Sequence, residues 1–228
     1  MIYRISFILL LCMFCNVLLS QEKPREEATE LWFGATLKMK LTKKFRLDLE
    51  QQLRLEDHEN GFDQTFTELG LRYKITDNFN IKGQYRYAFT DDEHNEGRWS
   101  IDLDYTYDIK NFPLDIAYRF RFQDEKVDWT GEKKTYIRQR ITLDYNLSKL
   151  VDPAFEYEWF YKFNQDNEFR RSRYTLSLQW KLNKRSELVT FGRLEEEYNV
   201  KRPERIYIMG LAYSYDLDFR KKKKKKKG

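Results

Sequence analysis

The 228-residue chain has 42 basic and 37 acidic residues and a mean hydropathy of −0.82. After the first twenty residues it contains no apolar run of about 18 residues, which excludes a protein that spans a membrane with helices. Its net charge of +5 comes from the termini. Without Arg4 and the seven lysines of 221–227, 34 basic residues face 37 acidic ones, so the charge gives no argument for binding nucleic acid.

Residues 1–20 have the features of a secretory signal peptide. Arg4 gives a positive start, residues 7–14 form an apolar stretch, and a small residue, Ser20, precedes the expected cleavage site. An uncleaved anchor is the alternative, but the stretch is shorter than the roughly 20 apolar residues of a membrane-spanning helix. Both cysteines lie in this segment, so we expect a mature protein without disulfides or cysteine metal ligands.

The rest of the chain is predicted to contain one domain. A polar segment at residues 21–30 precedes a β-barrel domain at 31–219, and residues 220–228 form a basic tail that we interpret as disordered or artefactual. Within the domain, apolar and polar side chains alternate, as in 45–56, which is the period of a strand with two different faces. Eleven such strands are predicted: 31–41, 45–56, 64–75, 79–89, 98–107, 114–122, 134–147, 153–163, 172–182, 187–197 and 205–219.

The connections between these strands alternate in predicted length. Short turns, such as 76–78, alternate with long charged loops, such as 123–133. Short turns on one side and long loops on the other are typical of an antiparallel, up-and-down transmembrane β-barrel, and we predict this all-β fold with about 10 to 12 strands. The apolar face, which includes Leu103, Tyr118 and Leu178, should contact lipid. The alternative is a soluble periplasmic barrel that turns this face inward around an apolar ligand.

Eleven is an unusual number of strands, because single-chain bacterial barrels nearly always have an even number. Residues 21–30, or a split of a long segment, would supply a twelfth strand. Alternatively, a weak segment such as 187–197 is not part of the wall.

The polar face is predicted to line the lumen. Basic and acidic residues on it are roughly balanced, so cross-strand ion pairs are expected to hold the lumen together. Barrels of about 8 strands are filled by side chains and open channels need about 16 to 18, so we expect a narrow or blocked lumen. The predicted charge network consists of Arg46, Asp48, Glu50, Arg54, Arg86, Arg119, Arg121, Arg138, Arg140, Glu156, Glu158, Arg193 and Glu195.

The two histidines are the candidates for an enzymatic alternative. His58 and His94 both fall in acidic segments on the long-loop side, where a histidine beside carboxylates can act as a general base. Solvated loop residues explain them equally well, and no nucleophile motif accompanies them. We therefore predict no catalytic residue, no metal site and no cofactor.

Several segments resemble an uncharacterised bacterial family, domain of unknown function 2490. The resemblance is carried by residues 30–33, by the repeated Leu-Arg-Leu-Glu and Tyr-Arg-Tyr strands at 53–56 and 85–87, and by the late segment 192–197. It covers nearly all of the mature chain and implies an outer-membrane-type β-barrel without a known activity. The closing segment 213–219 also resembles the last strand of outer-membrane barrels, whose final aromatic residue is recognised by the assembly machinery.

These observations predict a non-enzymatic barrel of the Gram-negative outer membrane with a structural role or a role in narrow transport or binding of small solutes. The expected partners are membrane lipid, lipopolysaccharide and the barrel-assembly machinery, and no nucleic acid. The sequence does not predict an oligomeric state.

Overall fold

A computed structural model of the chain describes residues 25–57, 61–90, 95–127, 131–163 and 167–220. The predicted signal peptide and the lysine run lie outside the described residues. Within these ranges, no helix is long and apolar enough to cross a membrane.

The described residues form eleven β-strands in one closed barrel, in which each strand pairs with its neighbours in the sequence. The strands are β1 Glu26–Lys40, β2 Phe45–Glu56, β3 Phe62–Lys74, β4 Phe79–Thr90, β5 Glu96–Asp108, β6 Leu114–Val127, β7 Lys133–Tyr145, β8 Val151–Phe163, β9 Glu168–Lys181, β10 Ser186–Glu197 and β11 Glu204–Asp218.

The barrel closes through a parallel pair, which the sequence did not predict. β1 pairs with β11 from Glu26 opposite Glu204 to Lys40 opposite Asp218, and all other pairs are antiparallel. In an odd-numbered barrel of alternating strands, the first and last strands run in the same direction, so their pairing must be parallel. The expected even number of strands was therefore wrong. Ser186–Glu197 is a full wall strand, and residues 26–30 of the predicted polar segment begin β1.

The contrast between short turns and long loops is also weaker than expected. The connections between strands contain four to six residues on the predicted long-loop side and four or five on the other side. The strands extend into the segments that the sequence assigned to loops. β6 runs on to Val127 instead of residue 122, and in that extension Asp124 accepts a hydrogen bond from Thr135 of the neighbouring strand. Pairing of polar side chains with the neighbouring strand thus keeps these residues in a strand, although their composition alone predicted a loop.

The two faces of the wall follow the predicted alternation. Tyr118 and Leu178 are exposed on the outside, Leu103 is half-buried, and no member of the predicted lipid-facing sets is buried. The outer surface is therefore an apolar belt of leucine, isoleucine and aromatic side chains, as on a membrane-spanning barrel. A soluble barrel with this face turned inward does not agree with the structure.

Candidate functional site: a cation-lined lumen

The inner faces of the strands enclose a cavity of about 810 Å³. Of the 35 described residues that line it, 17 are arginine or lysine and seven are aspartate or glutamate. The sequence predicted a balanced lumen, and the structure shows why its surface is not balanced. Several carboxylates, among them Asp102 and Glu195, do not line the cavity and lie against the wall as partners of arginines. Arginine side chains are longer than those of aspartate and reach past them into the cavity.

One cluster of ion pairs is centred on Asp102, whose side chain is 0% exposed. Arg121 donates from Nε to Asp102 Oδ1 at 2.6 Å and from Nη2 to Oδ2 at 2.7 Å, which is a bidentate pair. Arg119 reaches Asp102 at 3.6 Å and Asp104 at 2.7 Å, and Arg72 reaches Asp104 at 3.1 Å. Asp102 lies directly opposite Arg121 in the register of β5 and β6, so the strand pairing itself brings the charges together.

A second cluster lies on β7 to β10. Arg138 makes a bidentate pair with Glu158, with its Nη2 2.8 Å from Oε2, and Arg173 lies 3.8 Å from the same carboxylate. Arg173 also pairs with Glu195, which accepts a further contact of 2.6 Å from Arg171. Shared carboxylates of this kind hold several guanidinium groups in fixed positions.

A third cluster lies on β2 to β5. Glu68 accepts a bond of 2.8 Å from Arg86 and lies 3.5 Å from Arg98. Lys82 lies between this carboxylate and Asp48, at 4.0 Å and 3.7 Å, and its side chain lies over the inner face of Gly70. A Cβ on Gly70 would be 2.3 Å from Lys82 Cε, so glycine leaves the space that Lys82 occupies.

The structure places every residue of the predicted charge network on the inner side of the wall. Most line the cavity, whereas Glu156 and Glu195 lie behind it as the partners of Arg140 and of Arg171 and Arg173. The predicted His58 and His94 lie outside the described residues, so the enzymatic alternative stays a prediction. Among the residues that are described, no group of three or more His, Cys, Asp or Glu side chains is arranged to hold a metal ion.

The sequence analysis missed the aromatic residues of the lumen. Trp32, Phe66 and Phe160 are buried on the inner face and carry arginines on their rings. The Cζ atom of Arg86 lies 3.3 Å from the centroid of Phe66, and that of Arg138 lies 4.2 Å from the centroid of Phe160. Guanidinium groups in such positions gain cation–π stabilisation. The signal was present as breaks in the alternation, since Trp32 occupies a polar position between two apolar ones.

Trp32 and Phe191 meet across a glycine. Trp32 is opposite Gly210 in one strand pair, Gly210 is opposite Phe191 in the next, and the two rings pack edge to face with centroids 6.5 Å apart. With buried Ile206 and Ile208 they form an apolar patch on the inner wall. Gly210 thus allows two large rings to lie against the wall of the barrel.

Replacing Gly210 by valine is expected to lower the free energy of unfolding by about 1 to 3 kcal/mol, because overpacking forces side chains out of their positions. A Cβ at Gly210 would lie 2.2 Å from Phe191 Cζ, whereas a Cβ at Gly192, one strand away on the outer face, meets nothing within 4 Å. Gly192→Val is therefore the control. Urea titration in lipid vesicles measures both, and equal losses would contradict the packing of Phe191 on Gly210.

A closed barrel with an apolar belt outside and ion pairs inside defines an outer-membrane-type β-barrel. The family described as "Protein of unknown function (DUF2490)" matches residues 29–201, and the chain belongs to that family, as its strand pattern predicted. No curated protein matches the chain.

Several solved structures are similar in fold. One is a bacterial polysaccharide outer membrane secretin, with a TM-score of 0.51 and 9% identity over 76% of this chain and 63% of that one, so this chain spans less than two thirds of that protein. Another is the NanC porin, with a TM-score of 0.49, 11% identity and coverage of 72% and 85%. A third is the KdgM porin in complex with disordered oligogalacturonate. Its TM-score is 0.48 and its identity is 18%, over 79% of this chain and 88% of that one. At 9% identity the likeness to the secretin shows the fold alone.

Proposed function

We propose that the protein is a narrow outer-membrane barrel that binds small anions in its lumen and passes them across the membrane. The observation that carries the proposal is the charge of the cavity lining: among the described residues that line it, 17 are basic and seven are acidic. A cavity whose lining has an excess of one sign of charge, with walls of low dielectric constant, concentrates ions of the opposite sign. Chloride, carboxylates and phosphates would accumulate there, and small cations would be excluded.

The ion pairs support a narrow passage. They hold arginines such as Arg121 and Arg138 in fixed positions within the cavity, so the passage is restricted by side chains that are themselves anchored. A barrel of eleven strands also lies between filled barrels of about 8 strands and open channels of about 16 to 18. Conduction is therefore expected to be small.

Reversal potentials in planar bilayers test this function. Under a potassium chloride gradient, the purified protein should show a small unit conductance with chloride preferred over potassium. Lys38→Gln, which removes a cation lining the cavity, should reduce the preference, whereas Lys110→Gln in an exposed turn should not. Cation preference, a stable porin-sized conductance, or no current at all would contradict the proposal.

The proposed surroundings follow from the outer surface. The apolar belt would contact membrane lipid and lipopolysaccharide, and the end of β11 with Phe219 would be the segment presented to the barrel-assembly machinery. Phe219 is exposed and directly follows β11, and its backbone N–H donates to the carbonyl of Lys40, so the backbone contact of the parallel pair extends to Phe219 at the turn side of the barrel.

A further inference from the structure

Two arginines on the cavity differ from its other arginines, because among the described residues no carboxylate forms an ion pair with them. In the part of the chain that the structure describes, no aspartate or glutamate oxygen lies within 4.0 Å of a guanidinium nitrogen of Arg54 or Arg193. Arg54 approaches Gln52 Oε1 at 3.4 and 3.5 Å, and Arg193 donates from Nε to Thr175 Oγ1 at 2.9 Å. Both side chains line the cavity.

These two arginines flank the parallel pair that closes the barrel. Arg54 is on β2 and Arg193 is on β10, and the strands between them are β1 and β11, the parallel pair. At this level the inner residues of that pair are uncharged except for Glu30, which lies opposite Ile208 and accepts a hydrogen bond from Trp32 Nε1. The uncharged inner residues are Trp32, Gly34, Thr36, Ile206, Ile208, Gly210 and Ala212.

An aromatic ring holds both guanidinium groups in place of a carboxylate. The Cζ atom of Arg54 lies 3.9 Å from the centroid of Trp32, and that of Arg193 lies 4.9 Å from the same centroid. Trp32 is 4% exposed and is fixed by Phe191 and by the Glu30 bond. A cation–π contact positions a guanidinium without cancelling its charge. The pairing of β2 with β3 also shifts register beside this group, between Arg54 and Leu55.

We propose that Arg54 and Arg193 form an oxyanion-binding site on Trp32, where the lumen holds the carboxylate, phosphate or sulfate group of a small solute. The planar guanidinium fork matches the geometry of these groups and binds them with two parallel hydrogen bonds. The arginines of the three clusters differ in that each has a glutamate or aspartate oxygen within 4.0 Å. The inference rests on the proposed function, because it requires that solutes enter the lumen.

Binding of inorganic phosphate tests the site without any measurement of current. Purified barrel in nanodiscs is titrated with phosphate, and binding is followed by ³¹P line broadening, with acetate and chloride as competitors. The wild type should bind phosphate saturably, acetate should compete, and chloride should compete weakly because it lacks paired oxygens. Arg54→Gln/Arg193→Gln should weaken binding by about tenfold or more, the size expected for the loss of one charge-assisted hydrogen bond.

The control variant removes the same charge from paired arginines. Arg72→Gln/Arg140→Gln also takes two positive charges from the cavity lining, but at residues bound to Asp104 and Glu156. It should leave phosphate affinity within about threefold of the wild type, because only the general field changes. Equal losses in both variants would overturn the site while leaving an anion-attracting lumen, and a wild type without saturable binding would overturn it as well. Cation preference in the bilayer experiment instead contradicts the proposed function.

Protection of arginines from chemical modification tests the site in the wild-type protein, without any substitution. Phenylglyoxal modifies arginines, and mass spectrometry maps the modified positions in the wild-type barrel. With phosphate present, modification of Arg54 and Arg193 should fall by about tenfold, whereas that of the ion-paired Arg140 should change little. Equal protection at all three positions, or none at Arg54 and Arg193, would contradict the site.

Discussion

Asp102→Ala is expected to lower the free energy of unfolding by about 3 to 5 kcal/mol, which is the cost of removing one partner from a buried charge pair. The Asp102 side chain is fully buried, and its two oxygens accept the bidentate bonds of Arg121. Without the carboxylate, Arg121 keeps a buried positive charge beside Arg119, which retains Asp104. The wall would then hold two neighbouring guanidinium groups with one carboxylate fewer.

Two further variants separate this effect from general damage. Asp77→Ala removes an aspartate from an exposed turn, where it pairs with Lys74, and should leave stability unchanged. Asp102→Asn/Arg121→Gln removes both charges and should cost less than Asp102→Ala, because neither partner is left as an unpaired charge. Urea titration in lipid vesicles measures all four proteins. A loss for Asp102→Ala no greater than for Asp77→Ala would contradict the buried pair.

Leu178→Arg should cost about 2 to 4 kcal/mol, because a charged side chain on the lipid face must enter the bilayer. Leu178 is 40% exposed on the outer surface of β9. Its neighbour Gln179 points to the inside, where it donates from Nε2 to Asp144 Oδ1 at 2.9 Å. An arginine at position 179 would meet the same carboxylate, so Gln179→Arg should be tolerated. Equal losses at the two positions would reject the assigned faces.

The faces were predictable because side chains alternate between the two faces of a strand. Once one residue is assigned to the correct face, the faces of all the others in that strand follow. Leu103, Tyr118 and Leu178 were placed outward on this basis, and none of them is buried in the structure. The same alternation placed the charge network inside. What the sequence analysis missed are residues that break the alternation, such as Trp32 and Phe66, which are apolar but occupy inner positions.

Closure of the barrel was not predictable from local patterns. Which strand pairs with β1 depends on the contact between the two ends of the domain, and nothing in Glu26–Lys40 alone marks a parallel neighbour. This closure has a consequence for the candidate site. It brings together two inner faces that, among the described residues at the level of Arg54 and Arg193, carry one carboxylate, that of Glu30, which accepts a hydrogen bond from Trp32. No single-strand pattern predicts that arrangement.

The extent of the charged loops was misjudged for a related reason. Glu125 was assigned to a loop because its segment is strongly polar, but in the structure it lies on β6 opposite Lys134 of β7, and both line the cavity. Composition does not distinguish a charged residue in a solvated loop from a charged residue that faces a water-filled lumen. Pairing with a neighbouring strand decides which of the two it is.

Thiol labelling of single cysteines tests the central claim most directly, because residues 21–228 contain no native cysteine. Thr36→Cys places a thiol on the cavity wall, and Leu178→Cys places one on the apolar belt. In lipid vesicles, a negatively charged methanethiosulfonate should modify position 36 at least about tenfold faster than a positively charged reagent of similar size, because a potential of several kT favours the anion. Position 178 should react with neither. Faster reaction of the cationic reagent at position 36, or ready modification at position 178, would contradict a cation-lined lumen inside a lipid-facing wall.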